Sequence, residues 1–164
     1  MAQAARLAPV TPRLRLGFRQ RRALLTLHIV AGVALLGDVA VILAIGVRAA
    51  TTDNPQLAAS AWELVSVLPL LFGIPLSFIS LLSGIALGLG SKWGVLRYAW
   101  VVTKLLLNVS VILAGALLIG PTVSKLADGR DASEGVLIAA AIWDIVALTL
   151  ATSLGVFKPG RRRR

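Results

Sequence analysis

Four stretches of this chain run for about 20 residues or more with almost no charge, at about 23–47, 62–89, 96–119 and 135–157. Each is long enough to cross a hydrocarbon core as a helix. In lipid no water satisfies the backbone, so only helices and closed barrels can span it. Barrel strands need only about 9–11 residues, so runs of this length select helices. The linking segments 48–60, 90–95 and 120–134 are short, which makes consecutive helices antiparallel neighbours. The expected fold is therefore all-α: a polytopic membrane protein built as an antiparallel four-transmembrane-helix bundle. Residues 1–22 and 158–164 are its basic tails, and 23–157 the transmembrane domain.

Composition agrees. Hydrophobic residues make up 57% of the 164 residues and charged residues 15%, against about 25% charged in soluble domains. A basic tail before an apolar run also describes a secretory signal. This run is longer than a signal core, and three more follow, so it reads as a retained helix.

The net charge of +10 does not point to nucleic acid, because the charges flank the apolar runs. With the N-terminus inside, the cytoplasmic side receives six arginines from 1–22, Lys92 and Arg97, then Lys158 and Arg161–Arg164. The other side receives only Arg48, Lys125 and Arg130 among basic residues. Thirteen against three is a positive-inside signature, so both termini are expected in the cytoplasm of a bacterial inner membrane. Trp93, Tyr98 and Trp100 read as anchors at the inner interface, and Trp62 at the outer one. The tails suit anionic lipid.

Small residues mark where membrane helices approach closely. The second run carries Ser66, Pro69, Gly73, Ser77, Ser80, Gly84 and Gly88 along one face; the fourth carries Ala140, Ala147, Ala151 and Gly155, with Asp144 on the same line. These faces are expected to meet other helices. Pro69 and Pro75 should kink the second helix, and Gly120-Pro121 should end the third.

Three ionisable residues lie well inside the runs, Asp38, Lys104 and Asp144, and Asn108 joins them. Such residues are costly in lipid, face the bundle interior and usually pair. At a helical rise, Asp38, Asp144 and Asn108 lie roughly 21, 20 and 18 Å from the inner end, and Lys104 roughly 12 Å. One reading is a buried polar cluster of all four that binds a proton, a cation or a polar group. The other has Lys104 snorkelling down to the interface, or pinning helices together.

His28 lies roughly 6 Å inside the inner end. It reads as a packing histidine bonded to a carbonyl, with haem ligation as the alternative. The chain has no cysteine and one histidine. Disulfides, thiol chemistry, iron–sulfur clusters, covalent haem and a histidine-rich metal site are thereby excluded. No nucleophile–base pair and no phosphate loop appears, so neither an enzymatic activity nor a resident cofactor is expected.

Two stretches carry a resemblance. TLHIVAGVALLGD and SLLSGIALGLGSKWGVLRYAWVVTKLLLNV are similar to segments of small bacterial four-helix integral-membrane proteins of unknown function, distantly like copper-resistance-D-type membrane domains. His28, Gly37, the serine-glycine pair, the Trp-Gly after the turn, the Arg-aromatic pair and Lys104 carry the likeness. Leu35 stands where tryptophan is usual, and Asp38 where a small residue is usual. The resemblance implies a four-helix membrane fold and a shared lysine, and no established reaction.

Three functions follow as expectations. The first is a structural or accessory membrane protein. The second is a small transporter or ion/proton conduit using Asp38, Lys104, Asn108 and Asp144. The third is a haem- or quinone-associated subunit through His28. The strong charge bias opposes antiparallel dimers and leaves a parallel homo-oligomer or a larger membrane complex.

Overall fold

The computed structural model of the chain describes residues 17–90 and 98–157. Four helices long and apolar enough to cross a membrane account for most of them: α1 (Phe18–Ala50), α2 (Pro55–Leu89), α3 (Ala99–Ala127) and α4 (Glu134–Phe157). Lys92, Trp93, Arg97, Lys158, Arg161–Arg164 and the arginines at 6, 13 and 15 lie outside the described residues.

The first two helices begin earlier than their apolar runs. α1 starts at Phe18, because Gln20 accepts a hydrogen bond from the Gly17 N–H at 2.9 Å and Arg22 stacks on the Phe18 ring at 4.1 Å. α2 starts at Pro55 rather than near Trp62. Asn54 caps it by accepting from the N–H groups of Gln56 and Leu57 at 3.0 and 3.2 Å, and proline at the first position lacks an N–H that would have had no helical partner anyway. The expected loop 48–60 shrinks to residues 51–54.

Pro121 does not stop α3, contrary to the sequence expectation. The helix runs on to Ala127 through a π-turn at Gly115–Ile119, where the Gly120 N–H reaches the Gly115 carbonyl. The wider turn shifts the hydrogen-bond register just ahead of the proline, which makes room for its ring within a continuing helix. α2 uses the same device: a π-turn at Pro69–Gly73 immediately precedes Ile74-Pro75. The two π-turns touch each other across the bundle. α3 is closed off by Gly129, two residues past its last helical residue, with φ +67°. Its N–H and that of Arg130 bond back to the carbonyls of Leu126 and Lys125, the closure that favours glycine.

α1 packs against α2 and α4, and α3 against α4 and α2, so the four helices close a ring. Two apolar clusters fill it. One, far from the chain termini, gathers Ile42, Trp62, Val65, Val123 and Leu137. The other, nearer the termini, gathers Leu35, Val39, Val111, Ala141 and Leu148. Trp62 is thus no interfacial anchor: it is 5% exposed and packs at Gly46, where a Cβ would stand 3.8 Å from its ring. The outward faces are also apolar, with Leu71, Phe78, Leu82, Leu106, Leu117 and Trp143 all exposed. An exterior as oily as the interior is what a lipid-facing bundle requires.

Trp62→Ala is expected to lower stability by about 3–5 kcal/mol, the usual cost of emptying a packed aromatic site. Trp143→Leu is expected to cost less than about 1 kcal/mol, as for exposed substitutions generally. Unfolding in mixed micelles, followed by circular dichroism, measures both.

Candidate functional site

The buried face of α2 carries a row of small and polar residues, and α1 lies along it. At the end nearer the termini, His28 Nδ1 sits 3.0 Å from the Ser80 carbonyl and 3.0 Å from Ser83 Oγ. A carbonyl only accepts, so Nδ1 carries the hydrogen and Nε2 is the nitrogen left with a lone pair. The ring lies so close to α2 that a Cβ on Gly84 would stand 3.0 Å from its Cε1. Gly84 is what lets the ring lie between the helices.

α3 joins through Asn108, whose Nδ2 donates to Ser80 Oγ at 3.4 Å. Its buried Oδ1 finds no hydrogen-bond partner among the described residues. Lys104 lies one turn nearer the termini on the same helix. Its Nζ would lie 2.8 Å from a Cβ on Gly155 of α4, two residues from the end of that helix. The lysine therefore runs toward the termini end of the bundle, along the path that snorkelling predicts.

The carboxyls occupy a different level. Asp38, 9% exposed, aims at the π-turn of α2: a Cβ on Gly73 would stand 3.3 Å from its Oδ2. That oxygen is buried without a hydrogen-bond partner. Asp144 on α4 is 2% exposed, and its Oδ1 is likewise buried and unpartnered. Eleven helical residues separate Asp144 from Gly155, about 16 Å at a helical rise. The single cluster considered from the sequence thus divides into a His28–Ser80–Asn108 network beside Lys104, and two carboxyls well removed from that lysine.

The same positions fix the α1–α2 register. His28 meets Gly84 and Asp38 meets Gly73, so ten residues of one helix pass eleven of the other in opposite directions. Ser77 and Ser80 are buried between those two contacts, and Ala147 is buried on α4. Gly88 and Ala151, also expected on packing faces, are partly covered. Ser83 figures in the sequence only through the serine-glycine pair of the resemblance, not as a site or packing residue. It sits one residue off the small-residue stripe, and only its three-residue spacing from Ser80 hinted that both could meet one partner. Among the described residues no three of His, Asp and Glu gather to hold a metal ion.

Two couplings follow. Gly84→Ala should destabilise the bundle by about 1–3 kcal/mol through overpacking, and His28→Ala in the same chain should recover part of that loss. Lys104→Leu and Asp144→Asn, lying far apart, should instead add to within about 0.5 kcal/mol. Double-mutant cycles on micelle unfolding test both. A non-additive Lys104–Asp144 pair would contradict their separation.

No curated protein and no solved structure matches the chain. A family model described as predicted integral membrane protein, DUF2269, matches residues 22–159. That match runs from the second turn of α1 past the end of α4 and so covers the bundle and both polar levels. The chain belongs to this family of integral membrane proteins, whose function is uncharacterised.

Proposed function

We propose that the protein is a small ion- or proton-handling component of a bacterial inner membrane, with Asp38 and Asp144 as its working carboxyls. The observation that carries this reading is Asp144, 2% exposed with an unpartnered carboxyl oxygen. A polar residue that only pins helices brings its partner with it, as His28 does with Ser80. A buried carboxyl lacking one must take up a proton or a cation, because the bare charge is far too costly in a low-dielectric interior. This favours ion handling over a purely accessory role. His28 serves packing in this reading, since its Nδ1 and one ring edge are engaged by α2. No copper role is assigned, because a chain with no cysteine, one methionine and one histidine is poor in soft ligands. Neither a catalytic activity, a resident cofactor nor a nucleic-acid partner belongs to the proposal. Anionic lipid at the basic tails and a parallel homo-oligomer do.

Two experiments test it. In liposomes carrying a pH gradient, the wild type should dissipate the gradient faster than protein-free vesicles, and Asp144→Asn should remove most of that difference. Equal rates for the wild type and the variant would sink the reading. For orientation, the chain has no cysteine, so Asp53→Cys and Arg19→Cys are single probes. A membrane-impermeant maleimide should label the first in intact spheroplasts, and the second only after permeabilisation. The reverse pattern would overturn cytoplasmic termini.

A further inference from the structure

Where α1 crosses the π-turn of α2, a buried carboxyl oxygen of Asp38 without a hydrogen-bond partner faces the turn. We propose that Asp38, Ser77 and the backbone carbonyls of the Pro69–Gly73 turn form a binding site for a monovalent cation of the sodium class. The proposal rests on the ion-handling reading and names its ion and its site.

Three observations build the site. The first is Asp38 itself: buried, with Oδ2 unpartnered and directed at Gly73, whose missing Cβ leaves the space. The second is the turn. Ile74 donates to the Pro69 carbonyl in a π register, and Pro75 follows at once. Pro75 has no N–H to give, so a backbone oxygen of this turn lacks its ladder donor. The third is Ser77, 6% exposed and one helical turn from Gly73. Its hydroxyl donates back to the Ile74 carbonyl at 2.9 Å. That bond uses the serine's only hydrogen and leaves lone pairs as what the side chain can offer another group.

A proton on Asp38 would satisfy one oxygen of this set; a cation draws on all of them. The charge selects its valence. One carboxylate among neutral oxygens balances a single positive charge, whereas calcium takes about 6–8 oxygen ligands and magnesium demands near-ideal octahedral geometry. Among the described residues, the cations on the helices around this site stand elsewhere. His28 and Arg48 are each ten residues from Asp38 along α1, about 15 Å, and the Lys104 ammonium lies at Gly155. Helices opened by a wide turn or a proline, with a carboxylate alongside, present backbone oxygens able to replace a small cation's water.

The test uses full-length protein in phosphatidylcholine nanodiscs. Binding of radioactive sodium is measured by equilibrium dialysis, and thermal unfolding is followed in sodium, potassium or choline chloride at equal ionic strength. Sodium should bind saturably and raise the unfolding temperature above that in choline. Asp38→Asn and Ser77→Ala should each weaken binding on the order of tenfold or more, the loss of roughly 1.4 kcal/mol. Gly73→Ala should weaken it too, because its Cβ would crowd Oδ2. Trp143→Leu, on the lipid-facing surface, should bind as the wild type does. Folding of each variant is checked by circular dichroism in choline, and Ser77→Ala carries the test if Asp38→Asn fails to fold. No sodium binding by folded wild type overturns the site, as does undiminished binding by folded Asp38→Asn or Ser77→Ala. Asp144-dependent proton flux without sodium binding would sink this site and leave the ion-handling reading standing. Sodium binding without flux would uphold the site and remove that reading.

Discussion

Inside a lipid-embedded bundle a polar side chain must find its partner in the protein, and it can do so only where the neighbouring helix makes room. This constraint organises the contact between α1 and α2. His28 lies over Gly84, and Asp38 is directed at Gly73. Two bulky polar side chains against two glycines define one register, since sliding either helix would drive imidazole or carboxylate into a side chain. Apolar packing alone would not be so selective, because lipid tails are as oily as leucine and helix association gains little from burying more of it. The buried serines between those contacts keep the helices close and supply oxygen for hydrogen bonds.

The π-turns are the second consequence of the medium. A proline inside a membrane helix leaves a carbonyl without its donor, and no solvent can repair the loss. Both helices meet this problem just ahead of Pro75 and Pro121, and both widen by a π-turn there. The turns lie against each other across the bundle, so the two departures from regular helix share a level. Asp38 is directed at one of them. The least regular backbone in α1–α4 and a buried acid therefore coincide, and it is at such places that membrane proteins tend to hold ions.

Much of this was legible in the sequence, for physical reasons. The four spans follow from length and hydropathy, which the bilayer enforces regardless of tertiary detail. The buried faces of α2 and α4 follow from small residues at helical spacing. Other features were hidden because they depend on capping or on direction. Nothing in the hydropathy of 48–60 reveals that Asn54 and Pro55 start a helix; the cap does that. A Gly-Pro pair reads as a stop unless the π-turn ahead of it is known. Trp62 lies near a span end and reads as an anchor, yet Gly46 opens a place for it in the core. For Lys104, sequence spacing gives the helix face but not the path of a four-carbon stem, which here leads to Gly155.

That path bears on the acids. Had Lys104 reached the level of Asp144, the bundle would have held an internal ion pair, and its polar residues would have been explained as fasteners. Its ammonium lies instead about 16 Å away along α4, at the end of the bundle that bears the termini. Positive charge at that end and carboxyls in the middle stand as separate features of one ring of helices. A bundle that keeps its acids so far from Lys104 does not neutralise them with that lysine. The proposed ion handling needs such an arrangement, because a carboxylate already paired to a fixed lysine would have little affinity left for a visiting cation.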